Sequence, residues 1–247
     1  FVVECGFDRF APVDPIVHPG HDGASHLHQF FGAVSVEADA TYEELAQGET
    51  SCGKQTDTAA YWAPALLDGR GKPIVPIRSV AYYRAGPDVE PTAVEPYPPG
   101  MQLVAGDAHA GEPQPTSVVA WSCGSGARVS ASPVECVGAA SLRMTITFPD
   151  CWNGIDAASA DWEDEHARHA VYSAAGQCPD DFPVHIPQLQ FAIDFPPVPG
   201  DRLDDLTLTS GDIATGHADF WNTWDQEALL NEVTRCIHRD VVCGVSD

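Results

Sequence analysis

Proline and glycine recur along the whole chain, with 21 of each in 247 residues, and they limit the length of any regular element. Proline removes a backbone donor and fixes φ, and glycine carries an entropic cost inside a helix or strand. Apolar residues make up 44% of the chain, which is too hydrophobic for a disordered segment. The composition argues against a helical bundle and favours a turn-rich β protein.

Alternation of apolar, β-branched and aromatic residues marks the expected strands. These are residues 80–83, 102–104, 117–123, 142–148, 188–195 and 206–209. Their shortness and spacing predict a single domain over residues 1–247, mainly β, built as an antiparallel β-sandwich or jelly roll with long disulfide-stapled loops.

Two segments have the pattern of helices. Thr41 and Glu44 have the spacing of a capping box, which predicts a short helix over residues 41–47. An apolar stripe that includes Leu229, Val233 and Ile237 predicts an amphipathic C-terminal helix over residues 225–237.

Eight cysteines are spread from Cys5 to Cys243 without the C-x-x-C spacing of zinc sites. An even number of this kind indicates disulfides and an oxidising compartment, so we expect a secreted protein. Short loops close at low entropic cost, which favours three pairs and leaves Cys5 for Cys52. The three are Cys123 with Cys136, Cys151 with Cys178, and Cys236 with Cys243. This scheme is one of the roughly 105 pairings that eight cysteines permit.

The charge is strongly negative, because 12 Lys and Arg stand against 36 Asp and Glu, a net charge of −24. Such a surface repels phosphate backbones and anionic head groups, so we expect neither nucleic-acid nor membrane binding, and a polyanionic substrate is disfavoured. The chain contains no run of 18 apolar residues, so no segment is predicted to span a bilayer. We expect a monomer.

Two segments carry side chains that could do chemistry. In an extended chain His26 and His28 would share one face, as would His217 and Asp219. Asp212 precedes the second pair. Together these side chains predict either a mononuclear metal site at His26, His28, His217 and Asp219 or metal-free acid–base chemistry. Histidines that only hydrogen-bond the backbone are the commoner alternative.

Other candidates are histidines and aromatic residues. The segment 165–169 places His166 and His169 three residues apart, on one face of a helical turn. Tyr61, Trp62 and Trp221 could stack on sugar rings, although most large aromatic residues lie in the core.

Taken together, these motifs resemble the DUF1996 family over about residues 14–236. The resemblance rests on Ser25-His26-Leu27-His28-Gln29, Tyr61-Trp62-Ala63-Pro64, Phe148-Pro149-Asp150-Cys151-Trp152, His166 to His169, Cys178-Pro179, and Gly216-His217-Ala218-Asp219-Phe220. Asn153 and Ala218 depart from its pattern, whereas His26, His28, His169, Asp212, His217 and Asp219 match it.

The family consists of secreted proteins of filamentous fungi and actinobacteria, often joined to carbohydrate-binding modules. The resemblance therefore implies an extracellular location and an extracellular polysaccharide as the substrate class. It supplies no reaction.

The first hypothesis is a secreted carbohydrate-active enzyme, a glycoside hydrolase. Four histidines would bind substrate, a metal or a proton, namely His26, His28, His169 and His217. The two carboxylates would be Asp212 and Asp219. Their separation would be ~5 Å in a retaining enzyme or ~6.5–9.5 Å in an inverting one. A lyase would use His169 or Tyr61 as base. Tyr61, Trp62 and Trp221 would contact the sugar.

The second hypothesis is a non-catalytic metal-binding or glycan-binding module that uses the same histidines. Its ligands would be His26, His28, His217 and Asp219, and its ion a divalent metal such as zinc, copper or calcium. A third, structural hypothesis treats the histidines as hydrogen bonders that organise loops.

Overall fold

The structure is a computed structural model that describes residues 1–125, 128–138, 140–162, 164 and 167–244. Its strands in chain order are β1 Val2–Cys5, β2 Phe7–Ala11, β3 His28–Gly32, β4 Ala60–Pro64, β5 Leu66–Leu67, β6 Arg78–Arg84, β7 Gln102–Gly106, β8 Val119–Cys123, β9 Leu142–Thr147, β10 Cys151–Trp152, β11 Ala170–Val171, β12 Val184–His185, β13 Gln188–Phe195, β14 Thr207–Leu208 and β15 His217–Trp221. The α-helices are α1 Tyr42–Ala46 and α2 Gln226–Glu232.

Two five-stranded sheets dominate the molecule, and every pairing in them is antiparallel. The first sheet has the order β1-β6-β13-β9-β8, and the second has the order β2-β3-β4-β15-β7. Apolar side chains from both sheets form one core; for example, Phe191 of the first sheet stacks on Tyr61 of the second at 5.4 Å between ring centroids. The predicted mainly β, antiparallel sandwich is confirmed.

The second sheet also buries its outer face, and this feature positions the site described below. In β3 Phe31 points into the main core, while its neighbour Phe30 packs in a smaller cluster with Trp62 and Trp221. Val13 and Leu45 belong to this cluster and come from the chain on either side of β3. The outer face of the second sheet is therefore covered by the chain that surrounds β3.

The predicted strands are present with shifted ends. The strand over residues 188–195 matches β13, and the strand predicted at 80–83 is the centre of the longer β6. The segment 206–209 contributes only the two-residue β14, which pairs with β5. Strands β1, β2, β3, β4 and β15 were not predicted as strands. Of these, β3, β4 and β15 are buried on both faces and lack the burial alternation that marks a half-exposed strand.

Both predicted helices are confirmed. Thr41 and Glu44 form the capping box at the start of α1. Asp225 caps α2, its carboxylate accepting from the Ala228 backbone N–H at 2.8 Å. A π-helical turn, Val233–Ile237, continues α2 to the predicted end. Among the described residues, no helix has both the length and the apolar character needed to span a bilayer.

All eight cysteines form disulfides, in the predicted pairs. The bonds are Cys5–Cys52, Cys123–Cys136, Cys151–Cys178 and Cys236–Cys243. Four disulfides indicate an oxidising environment.

A chain of polar side chains crosses the main core. Trp224 donates from Nε1 to the hydroxyl of Tyr83 at 3.2 Å, the hydroxyls of Tyr83 and Tyr61 are hydrogen-bonded, and Tyr61 donates to Oδ2 of Asp57 at 2.8 Å. Oδ1 of Asp57 accepts from the Ala59 backbone N–H at 3.1 Å. Burial raises the pKa of Asp57 to about 8 despite these hydrogen bonds.

Asp57→Asn tests this burial through the pH dependence of stability. The carboxyl has a pKa of about 3.9 in an unfolded chain, so the protonated form favours the folded state. The contribution of the protonated Asp57 carboxyl to the free energy of unfolding is complete below the unfolded-chain pKa. This contribution is lost as pH rises through about 8. We expect the free energy of unfolding of the wild type, minus that of Asp57→Asn, to fall between pH 5 and 9 in urea denaturation. Asp22→Asn, at an exposed carboxyl, is the control. A difference independent of pH would contradict the burial.

Candidate functional site

The candidate site lies on the covered outer face of the second sheet. Along β15, Ala218 and Phe220 point into the main core, so His217 and Asp219 point to the opposite face, where Trp221 packs. His28 at the start of β3 shares this face with Phe30. The sheet therefore brings residues 28 and 217 together, although 189 positions separate them.

Three imidazoles form the histidine cluster, defined as His26, His28 and His217. The ring centroids of His26 and His28 are 4.2 Å apart, those of His26 and His217 are 5.0 Å apart, and those of His28 and His217 are 6.1 Å apart. One ring nitrogen from each lies within 4.8 Å of the others. His28 and His217 are buried, and His26 is half-buried. The two segments, which lie far apart in the sequence, therefore lie side by side in the fold.

Hydrogen bonds to the backbone fix which nitrogen of two rings carries a proton. Nδ1 of His28 lies 2.9 Å from the Val13 carbonyl oxygen, and Nδ1 of His217 lies 2.8 Å from that of Thr215. A carbonyl oxygen only accepts, so each Nδ1 donates its hydrogen. In a neutral ring the lone pair is then on Nε2. Nε2 of His28 and Nε2 of His26 are buried and have no hydrogen-bond partner in the described part of the chain.

Burial keeps these rings neutral. It lowers the pKa of His26 to about 4, with further lowering by His217. Burial also lowers the pKa of His28 and of His217, which outweighs the opposing effect of their carbonyl partners. At pH 7 the cluster therefore presents neutral imidazoles, the form that binds metal ions.

Two aspartates adjoin the cluster through His28. A carboxylate oxygen of Asp14, one of Asp219 and a ring nitrogen of His28 lie within 4.8 Å of one another. Asp219 is 1% exposed, and neither of its oxygens has a hydrogen-bond partner among the residues that the structure describes. Burial, followed by the charge of Asp14, raises the pKa of Asp219 well above its ordinary value. This carboxyl needs a proton or a cation.

The sequence pattern did not indicate Asp14 as a residue of the site. Its Oδ1 accepts from the backbone N–H groups of Ile16 at 3.1 Å and Val17 at 2.9 Å, and it thereby forms the turn next to the Val13 carbonyl. The sequence Asp14-Pro15 is a turn signal, but turn residues of this kind are common. Nothing in the spacing connects position 14 to position 219.

Asp212 stands outside the cluster and shapes a turn beside it. Its Oδ1 accepts from the Ala214 backbone N–H at 3.0 Å, which caps the short 3₁₀ helix Ile213–Thr215. That turn positions the Thr215 carbonyl to accept the hydrogen bond from Nδ1 of His217. Asp212 is exposed, and no contact between it and Asp219 is found in the described residues.

His169 also lies apart from the three clustered rings. Its Nδ1 is 2.9 Å from the hydroxyl oxygen of Ser159, and its ring meets that of Trp162 edge-on at 5.7 Å between centroids. Burial lowers its pKa to about 4. Glu165 and His166, from the same sequence segment, lie outside the described residues.

The aromatic residues that were predicted to contact sugar are buried. Tyr61 and Trp62 have no exposed surface, and Trp221 is 7% exposed. Tyr61 belongs to the polar chain through the main core, and the two tryptophans pack on the outer face. None of the three presents a ring face to solvent.

Gly106 allows β7 to approach His217 closely. It has φ +84°, and an added Cβ would lie 2.4 Å from the Gly216 carbonyl oxygen and 2.8 Å from Cα of His217. We expect Gly106→Ala to cost about 1–3 kcal/mol of unfolding free energy and to shift the NMR signals of the His217 ring. The control is Gly111→Ala, where a Cβ meets no atom within 4 Å. Equal effects of the two substitutions would contradict this account.

Comparison with known proteins gives one match. Residues 14–224 match the profile of DUF1996, described as a domain of unknown function. Searches of curated proteins and of solved structures found no significant match. The matched range contains every residue of the histidine cluster as well as Asp14 and Asp219, and it spans most of the 247 residues. The chain therefore belongs to the DUF1996 family.

Proposed function

We propose that the protein is a secreted metal-binding protein whose histidine cluster holds one divalent transition-metal ion. The observation that carries the proposal is the convergence of three neutral imidazoles, two of which have Nδ1 hydrogen-bonded to a carbonyl and Nε2 left for a ligand. Metal-binding histidines characteristically donate their second ring N–H in this way. The four disulfides support secretion.

The residues present fit such an ion. Nε2 of His26 and Nε2 of His28 are buried without partners among the described residues, which a purely structural role would leave unexplained. Asp219 provides a carboxylate next to His28, as a further ligand or a counter-charge. A positive ion would also remove the cost of ionising this buried carboxyl.

The donor set selects the class of metal. Imidazole nitrogens suit zinc, copper, iron and nickel, and copper binds such sites most tightly among the divalent first-row ions. Calcium prefers six to eight oxygen ligands, so of the three ions expected from the sequence it fits least well. Such an ion would supply a Lewis-acid centre.

A metal-free glycoside hydrolase finds less support in the geometry. That reaction needs two carboxyl groups on either side of a bound sugar. Asp212 is exposed and caps a turn, and Asp219 is buried against His28. We therefore place the metal-binding function first, and a polysaccharide substrate remains a proposal.

Metal analysis of protein purified without a histidine tag tests the proposal. We expect about one zinc or copper ion per chain by mass spectrometry, because the three imidazoles of the histidine cluster make one site. Separately, His28→Ala and His217→Ala should each lower the affinity for Zn²⁺ at least about tenfold in competition with a chromophoric chelator.

The control is His21→Ala, because His21 is an exposed histidine outside the cluster. It should leave affinity and stoichiometry unchanged. Wild-type protein that binds neither Zn²⁺ nor Cu²⁺ above the level of a protein without the cluster would contradict the proposal. Equal loss in all three variants would also contradict it.

A further inference from the structure

A small cavity adjoins the edge of the second sheet, and we refer to it as the edge cavity. It has a volume of about 150 Å³ and lies between β7 and the chain segment that carries His169. Val104 and Gly106 form part of its wall on the strand side. Ser159, Trp162, His169 and Tyr172 line the other side.

His169 is the residue that indicates a ligand. It is 2% exposed, and its Nε2 is buried without a well-formed hydrogen bond in the described ranges, although the Gln102 backbone carbonyl lies near the ring and raises its pKa. Its Nδ1 is already engaged by the hydroxyl of Ser159 at 2.9 Å. A buried Nε2 without a partner costs free energy, because it has lost its hydrogen bonds to water and gained none in the protein. A hydroxyl group in the cavity would satisfy it.

The rest of the lining combines polar and apolar groups. Trp162 supplies an aromatic wall, and Val104 adds an aliphatic one. The hydroxyl of Tyr172 donates to the Thr147 carbonyl at 2.8 Å, and the Gly106 backbone N–H lies within reach of its oxygen. Arg168 adds a guanidinium to the lining. Hydroxyl-binding groups beside an aromatic wall match the chemistry of a sugar ring, which has polar edges and an apolar C–H face.

Size and charge narrow the ligand further. The cavity is smaller than the roughly 300–1,000 Å³ of pockets for drug-sized ligands, so it admits one ring and not an oligosaccharide. The net charge of −24 disfavours an anionic sugar. A neutral sugar unit, as a chain end or a branch, is the ligand class that fits these observations.

The position of the edge cavity links it to the histidine cluster. In the register of the sheet, Gly106 pairs with His217, and Val104 pairs with Asp219. Trp162 and Val104 pack against the same outer-face cluster as Trp221. A ligand in the edge cavity therefore lies across a single strand from the cluster, where neighbouring strands are about 5 Å apart.

We propose that the edge cavity is a binding subsite for one neutral sugar unit, held by Trp162, Ser159 and His169 beside the histidine cluster. The inference deepens the proposed function, because it names the substrate class of the same region. It rests on that function only for the role of the metal ion. Binding of the sugar itself requires no ion.

The test is a binding titration of the full chain with methyl glycosides of neutral hexoses and N-acetylhexosamines and, in a separate arm, with free uronates. Binding is followed by ligand-observed NMR, with and without added Zn²⁺. We expect saturable binding of at least one neutral glycoside and none of the uronates. Trp162→Ala should weaken this binding about tenfold, whereas Trp162→Phe, which keeps an aromatic wall, should retain most of it.

The variants also separate this inference from the proposed function. Each is checked for an unchanged unfolding transition and Zn²⁺ stoichiometry, so a lost sugar signal is not a folding effect. Sugar binding in protein that takes up no metal would uphold the subsite and overturn the metal site. No binding by any neutral glycoside, binding of uronates alone, or equal binding by wild type and Trp162→Ala would overturn the subsite.

Discussion

Two hydrogen bonds from histidine rings to backbone carbonyls determine what the outer face of the second sheet can bind. His28 donates from Nδ1 to Val13, and His217 donates from Nδ1 to Thr215. Each bond fixes one ring's tautomer and orientation, and it leaves the lone pair of the neutral ring on Nε2. Without these bonds, either nitrogen of each ring could carry the proton.

The two carbonyls are themselves held by aspartate-capped turns. Asp14 caps the turn that follows Val13, and Asp212 caps the turn that ends at Thr215. One capping residue is buried beside the cluster and the other is exposed. This gives Asp212 a positioning role without placing it in contact with a ligand.

The second feature that determines what the outer face can bind is that other parts of the chain cover it. Most antiparallel sheets leave one face to water, but here Val13, Leu45 and their neighbours cover the face that carries the cluster. The resulting desolvation lowers the pKa of the histidines and raises that of Asp219. Both changes favour the uncharged forms of the histidines and of Asp219, and a bound cation would reverse the balance for that carboxyl.

Local patterns predicted the elements whose residues alternate in type along the chain or whose ends are capped. The alternation of β13 indicated a strand although both of its faces are buried, and the capping box of α1 and the stripe of α2 were sufficient for the helices. The short loops between cysteines indicated three disulfides and left Cys5 for Cys52, and all four pairs are present. Patterning failed for β3, β4 and β15, which are buried on both faces, and for β1, which is half-exposed.

The histidine cluster could be predicted in part. The two-residue spacing placed His26 with His28, and His217 with Asp219, but only the sheet order shows that these pairs meet. Asp14 could not be found, because its partner His28 is reached through the fold and not through any sequence spacing. The sequence also suggested that Tyr61 and Trp62 could contact a sugar, because it does not show which residues the fold buries. In the structure, the main core buries Tyr61 and the covered outer face buries Trp62.

The most direct test of the account is long-range ¹H–¹⁵N NMR of the histidine rings in metal-free, ¹⁵N-labelled protein at pH 7.5. Cross-peak patterns distinguish the two neutral tautomers and the charged ring. The account predicts that His28 and His217 are both neutral and carry their proton on Nδ1. A proton on Nε2 of either ring, or a charged imidazolium at that pH, would contradict it.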